Sequence, residues 1–156
     1  MKNSAKLKIA ASVLAAAGPG SFGNAAMASP GAGVTPGTYV TAGLLDIEDI
    51  NHDRVKVQTK DPTTVRVQKL TFAPDARTGW HHHPGAVIVA VQSGSVTLVD
   101  SYCATKTYGP GMPDGSVFIE GHDEAHEARS ASGATVFVTY IAPDSIFRIE
   151  DAAQSC

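Results

Sequence analysis

An all-β fold, an antiparallel sandwich or barrel, is what the sequence predicts. Apolar and polar residues alternate over short runs, Gly and Pro cut those runs at short intervals, and helical spacing is hard to find. The run Val65-Arg66-Val67-Gln68-Lys69-Leu70-Thr71-Phe72 shows the alternation of a strand buried on one face. With 156 residues, 15 Gly and 9 Pro, the chain is long enough for one domain with a core and rich in turns.

The first 28 residues read differently. Lys2, Lys6 and Lys8 precede the apolar run from Ile9 to Ala17, then a Gly/Pro break, then small residues ending in Ala26-Met27-Ala28. A basic start, a short apolar stretch and an A-x-A end describe a secretory signal peptide over residues 1–28. The apolar run falls far short of the roughly 20 residues that span a bilayer. No Cys follows the proposed cut, so no lipid anchor is expected, and the mature protein is expected to be secreted or periplasmic.

The whole chain carries 12 basic and 15 acidic residues, a net charge of -3. Without the three N-terminal lysines, 9 basic residues face the 15 acidic ones, a net charge of -6. An acidic chain without a basic patch argues against nucleic acid and anionic lipid as partners. The two cysteines, Cys103 and Cys156, are expected to pair in an oxidising compartment and to pin the C-terminal tail.

Residues 29–43 are rich in Gly, Pro, Thr and Ala without periodicity and read as a flexible linker, leaving 44–156 as the domain. Leu44 to Ile50 suits a helical turn or a strand equally well. Val55 and Val57 stand across the turn signal Lys60-Asp61-Pro62 from Val65 and Val67. Ala86 to Val91 is apolar on both faces, as expected of a doubly buried strand. Ser93-Gly94 turns the chain into Ser95 to Val99, and a Gly/Pro loop runs from Gly109 to Gly115. Val117 to Ile119, Ala134 to Ile141 and Ile146 to Ile149 complete the strands.

Half of the six histidines stand together in Arg77-Thr78-Gly79-Trp80-His81-His82-His83-Pro84-Gly85. Successive strand side chains point to opposite faces, so His81 and His83 share one face and His82 takes the other. Two imidazoles spaced this way reach one ion, but a third ligand has to come from elsewhere.

With its flanking residues, this H-x-H resembles the first motif of the cupin superfamily. Pro84-Gly85-Ala86 fill the three-residue spacer, Val87 stands where the motif has Glu, and Gly94 follows after six intervening residues. The opening Gly is out of register. The second motif is resembled by Gly115, then Gly121-His122-Asp123 in place of P-x-G, then His126, with Ser130 at the Asn position. The resemblance covers about Val65 to Pro143, and the wording around His81 is similar to small exported bacterial cupins.

The resemblance implies a double-stranded β-helix, or jelly-roll, barrel with His81, His83 and His126 as ligands of a divalent metal. Fe, Mn, Ni, Cu and Zn all suit imidazole. It also implies a small-molecule substrate or ligand, and a homodimer is common in the family. With Val87 in the Glu position, the site is either a neutral three-His face or takes another carboxylate. Strand parity offers Glu124, on the side of His126, as fourth ligand, partner to a ligand or general base, against the alternative of a solvated rim carboxylate. Glu127 and Arg129 are expected to point out. His122 and His52 are expected at the surface, and Trp80 as a wall of the pocket.

Three functions fit. The leading one is a metal-dependent oxygenase, isomerase or lyase acting on a small molecule. The others are a non-catalytic binding module and a structural domain with a vestigial site. The fold alone cannot choose between them.

Overall fold

The computed structural model describes residues 29–44, 49–121 and 123–156. The signal-peptide reading of residues 1–28 and the surface placement of His122 lie outside the described residues, as does most of the stretch from Leu44 to Ile50. No described helix is long and apolar enough to cross a membrane.

The described chain is all-β, with one 3₁₀ turn at Pro143–Ser145. Its strands are β1 (Ala32–Leu44), β2 (Asp49–His52), β3 (Val55–Gln58), β4 (Thr63–Arg77), β5 (His81–His82) and β6 (Ala86–Gly94). They continue with β7 (Val96–Asp100), β8 (Thr105–Tyr108), β9 (Val117–Glu120), β10 (His126–Ser130), β11 (Ala134–Ala142) and β12 (Ile149–Glu150).

Every pairing is antiparallel. One layer runs β1-β4-β11-β6-β9 and the other β8-β7-β10-β5-β12. Strand β4 joins them: Thr63 to Phe72 pair with β1 and β11, while Ala76 and Arg77 pair with β10. Between these segments lie Pro74, which has no N–H to donate, and Asp75, which is left-handed at φ 60°. The two layers close most of the way around one core, a nearly closed antiparallel barrel.

Alternation supplies that core. Strand β11 buries Ala134, Val136, Val138, Tyr140 and Ala142, and β6 buries Val87, Val89 and Val91. Phe72, Val96, Phe118 and Phe147 meet them in one cluster. Gly94 makes the turn after β6 at φ +72°, where a Cβ would lie 2.0 Å from the Gly133 carbonyl oxygen.

Three expectations are corrected. Residues 29–43 are largely strand and not linker: β1 pairs with β4 from Ala32 to Leu44, with register shifts near Gly33 and Tyr39. As an edge strand it tolerates Pro36, and β4 imposes an order that its composition does not announce. Val55 and Val57 pair with β2 across an Asp53-Arg54 turn, in a separate two-stranded sheet, and not with Val65 and Val67. Strand β6 is buried on one face only, because a two-layer barrel has a single inside; Ile88 is 38% exposed.

The Cys103–Cys156 disulfide is formed, with Cα atoms 5.5 Å apart. It ties the tail beyond β12 to the loop after β7.

Candidate functional site

Strand β5 carries His81 and His82, with His83 directly after, and β10 opens on His126, the Cα partner of His81. The pairing sets His126 beside the H-x-H face. The imidazoles of His81, His83 and His126 come together: one nitrogen from each lies within 4.8 Å of the other two. All three residues are at most 4% exposed. Gly79 lets the chain enter β5, for its φ is +75° and a Cβ would meet the Ser29 carbonyl oxygen at 2.2 Å.

Each ring is anchored in the same way. Nδ1 of His81 donates to the Gly79 carbonyl (2.8 Å), Nδ1 of His83 to that of Phe147 (2.6 Å), and Nδ1 of His126 to that of Glu124 (2.8 Å). A carbonyl oxygen only accepts, so Nδ1 carries the proton in the neutral ring and Nε2 keeps its lone pair. The Nε2 atoms of His83 and His126 are buried without a hydrogen-bond partner among the described residues. Backbone-anchored Nδ1–H with a free Nε2 is how metal-binding imidazoles are oriented.

A carboxylate absent from the sequence-level expectations stands beside them. Glu120, 7% exposed, closes β9 and is the cross-strand partner of Val87. The position where the motif resemblance calls for Glu is thus filled by Val87, and the acid comes from the adjacent strand. The Glu120 carboxylate lies 3.2 Å from Nε2 of His83 and 3.3 Å from Nε2 of His126, near enough to attract but not aligned as a hydrogen bond. It adjoins two of the three imidazoles.

The electrostatics follow from burial and this contact. Burial holds His81 down to about 3, and the Arg148 and His126 charges add to the effect against the pull of the Gly79 carbonyl. His81 is therefore neutral at ordinary pH. Burial alone would raise Glu120, but the adjoining His126 and His83 imidazoles bring it down to about 2. For His126 burial works downward and the Glu120 carboxylate outweighs it, so its pKa is raised. Burial, with Glu120 adding, pushes Tyr140 up to about 12. In the metal-free centre a proton on His126 offsets the buried Glu120 charge, and a cation held among the three imidazoles would offset it in the same way.

The remaining expected residues take other places. Nδ1 of His82 meets the Asp151 carboxylate at 2.9 Å, away from the cluster. Glu124 is exposed, and β10 begins only after it, so the parity extrapolated from His126 lacks a strand to run along. Its carbonyl accepts from His126, while its side chain lines an outer opening of about 310 Å³ with Glu120 and His126. Glu127 and Arg129 form an ion pair, and Ser130 donates to the Ser95 carbonyl. His52 is exposed on β2. Trp80 is buried, its carbonyl accepting the Asp151 N–H, and it does not line the cavity beside the imidazoles.

Glu120 was legible in part. In Val117-Phe118-Ile119-Glu120, alternation places Glu120 on the inward side of Phe118, and an acid on an inward face is the signal.

No protein-family model matches the sequence, and neither does any curated protein. Solved structures do resemble it. One is a Klebsiella pneumoniae protein described as having a double-stranded β-helix domain: 16% identity, 57% of this chain and 71% of that one, TM-score 0.48. A cupin domain from Bordetella pertussis is 19% identical over 74% of this chain and 97% of that one, at TM-score 0.44. A polyketide cyclase from Streptomyces resistomycificus is 18% identical over 59% of this chain and 62% of that one, at TM-score 0.47. The likeness concerns the barrel and assigns no activity.

Proposed function

We propose that this chain is an exported cupin whose barrel holds a divalent metal ion through His81, His83 and His126 and acts with it on a small molecule. One observation carries the reading: three buried imidazoles, each anchored by Nδ1 to a backbone carbonyl, with the Nε2 atoms of His83 and His126 left unpartnered. Orphaned buried nitrogens cost free energy, and an ion offsets that cost. Glu120 supplies the carboxylate, offsetting the ion's charge and tightening its hold.

A bound divalent ion would supply a Lewis acid there or, for a redox-active metal, an electron relay. The chain's own groups do the rest. The carbonyls of Gly79, Phe147 and Glu124 keep the rings in register. Tyr140 stays protonated and offers an O–H at the inner wall. Glu124, exposed at the outer opening, would exchange protons with water as a general base. Residues 1–28 direct export, in keeping with the disulfide.

The vestigial-site reading draws on Val87 and Ser130, which replace the motif's Glu and Asn. The buried Glu120 against His83 and His126 speaks for an intact centre instead. Elemental analysis of tag-free protein, followed by titration with Fe, Mn, Ni, Cu and Zn, decides. One equivalent is expected to be retained, and to be lost in His126→Ala. A protein that carries no metal and takes none up would leave the vestigial reading.

A further inference from the structure

The space beside the imidazoles is divided very unequally. The interior cavity, walled by His81, His83, Glu120 and Tyr140 among others, is about 40 Å³. That is the room of about one water molecule, so no organic molecule fits inside. Outside lies an open groove of about 610 Å³, and the two spaces share Leu70, Thr78, Tyr140 and Arg148 as common wall. The body of a ligand therefore sits outside the cavity, and this groove, larger than the outer opening of about 310 Å³ beside Glu120 and His126, lets it present one end at the shared wall.

The groove's charge runs against the chain's. The whole chain is at -3, yet Arg66, Arg77 and Arg148 line this one groove against a single acid, Glu150. The Arg66 guanidinium lies 3.8 Å from the Phe147 ring centroid and donates to Thr41 Oγ1, with no carboxylate partner among the described residues. Arg77 forms no ion pair among them either. Arg148 is held by Glu150 and the Thr78 carbonyl, on a partly exposed rim where another carboxylate could compete for it. Tyr140, 8% exposed, lines both the cavity and the groove. Between these polar groups the lining is apolar: Val34, Pro36, Leu70 and Phe147. Guanidinium groups over an apolar floor recognise an anion with a hydrocarbon body.

We propose that this groove binds a small organic carboxylate, its charged end held by Arg66 in the groove and by Arg148 and the Tyr140 hydroxyl at the shared wall, its apolar body along Val34, Pro36 and Leu70. The identification of this ligand as the substrate rests on the metal-centre reading above; the binding itself does not need the ion.

The test is calorimetric titration of the protein, metal-free and with Zn, using hexanoate and benzoate against hexanamide and benzamide. Both carboxylates are expected to bind, about tenfold or more tighter than their amides, the worth of one charge-assisted hydrogen bond. Arg66→Gln should weaken carboxylate binding about tenfold. Glu150→Gln, which releases Arg148, should tighten it. Lys106→Gln removes an equal charge at the outer opening and should change nothing. Amides binding as well as carboxylates, no binding of either carboxylate, or equal losses from Arg66→Gln and Lys106→Gln would overturn the proposal. Carboxylate binding by a protein that takes up no metal would uphold the groove and sink the metal centre. Metal uptake without carboxylate binding would do the reverse.

Discussion

His82 and its two neighbours are the same residue type on one short stretch of chain, yet they live in different chemistry. On the inward face His81 and His83 hand their Nδ1 protons to backbone carbonyls and turn the other nitrogen toward His126. On the outward face His82 uses Nδ1 for the Asp151 carboxylate, a half-buried contact that fastens the tail. A carbonyl holds a ring through its Nδ1–H and leaves Nε2 facing the cluster, whereas the Asp151 contact spends His82 Nδ1 on holding the tail. The inward face is built to bind, the outward face to hold the chain together.

The comparison can be broken most severely from inside. His83→Ala removes a nitrogen from the cluster and should weaken metal binding beyond the roughly 100-fold that loss of an outer partner costs; competition titration with a chromophoric chelator measures it. Folding should persist, checked by circular dichroism.

Moving the carboxylate tests the inward face next. Val87→Glu would set a second buried acid directly across from Glu120, destabilising the metal-free protein by about 3–5 kcal/mol as an unpaired buried charge. Val87→Glu with Glu120→Val returns the site to one carboxylate, on the other strand, and should recover much of that stability. Urea denaturation of the three proteins reads the difference. A single Val87→Glu variant as stable as the parent would mean that Glu120 is not where the buried charge resides.

On the outward side, Cys103→Ser with Cys156→Ser opens a bridge of sequence separation 53. The loop-entropy relation gives about 4 kcal/mol, an upper figure. Thermal unfolding should show the loss, while metal affinity in the folded protein should change far less than in His83→Ala.

The smallest effect belongs to His82→Ala. Its contact with Asp151 is partly exposed and should contribute about 1 kcal/mol or less, with metal affinity unchanged. Equal losses of metal from His82→Ala and His83→Ala would erase the distinction between the two faces.

The sequence by itself determined whatever depends on neighbours along the chain. Period-two alternation marked the strands and separated His81 and His83 from His82, because side-chain direction in a strand is a local property. Two cysteines left a single intramolecular pairing. What depends on which strand lies beside which was decided only by the tertiary structure. Residues 32–44 became β1 because β4 offered an edge, and Val55 and Val57 turned to β2 rather than to β4. The acid of the site was decided in the same way. Glu120 stands 33 positions beyond Val87, and only the β6–β9 register sets it across from that residue and against His83 and His126. Hydrogen bonds between strands specify partners that no local pattern names.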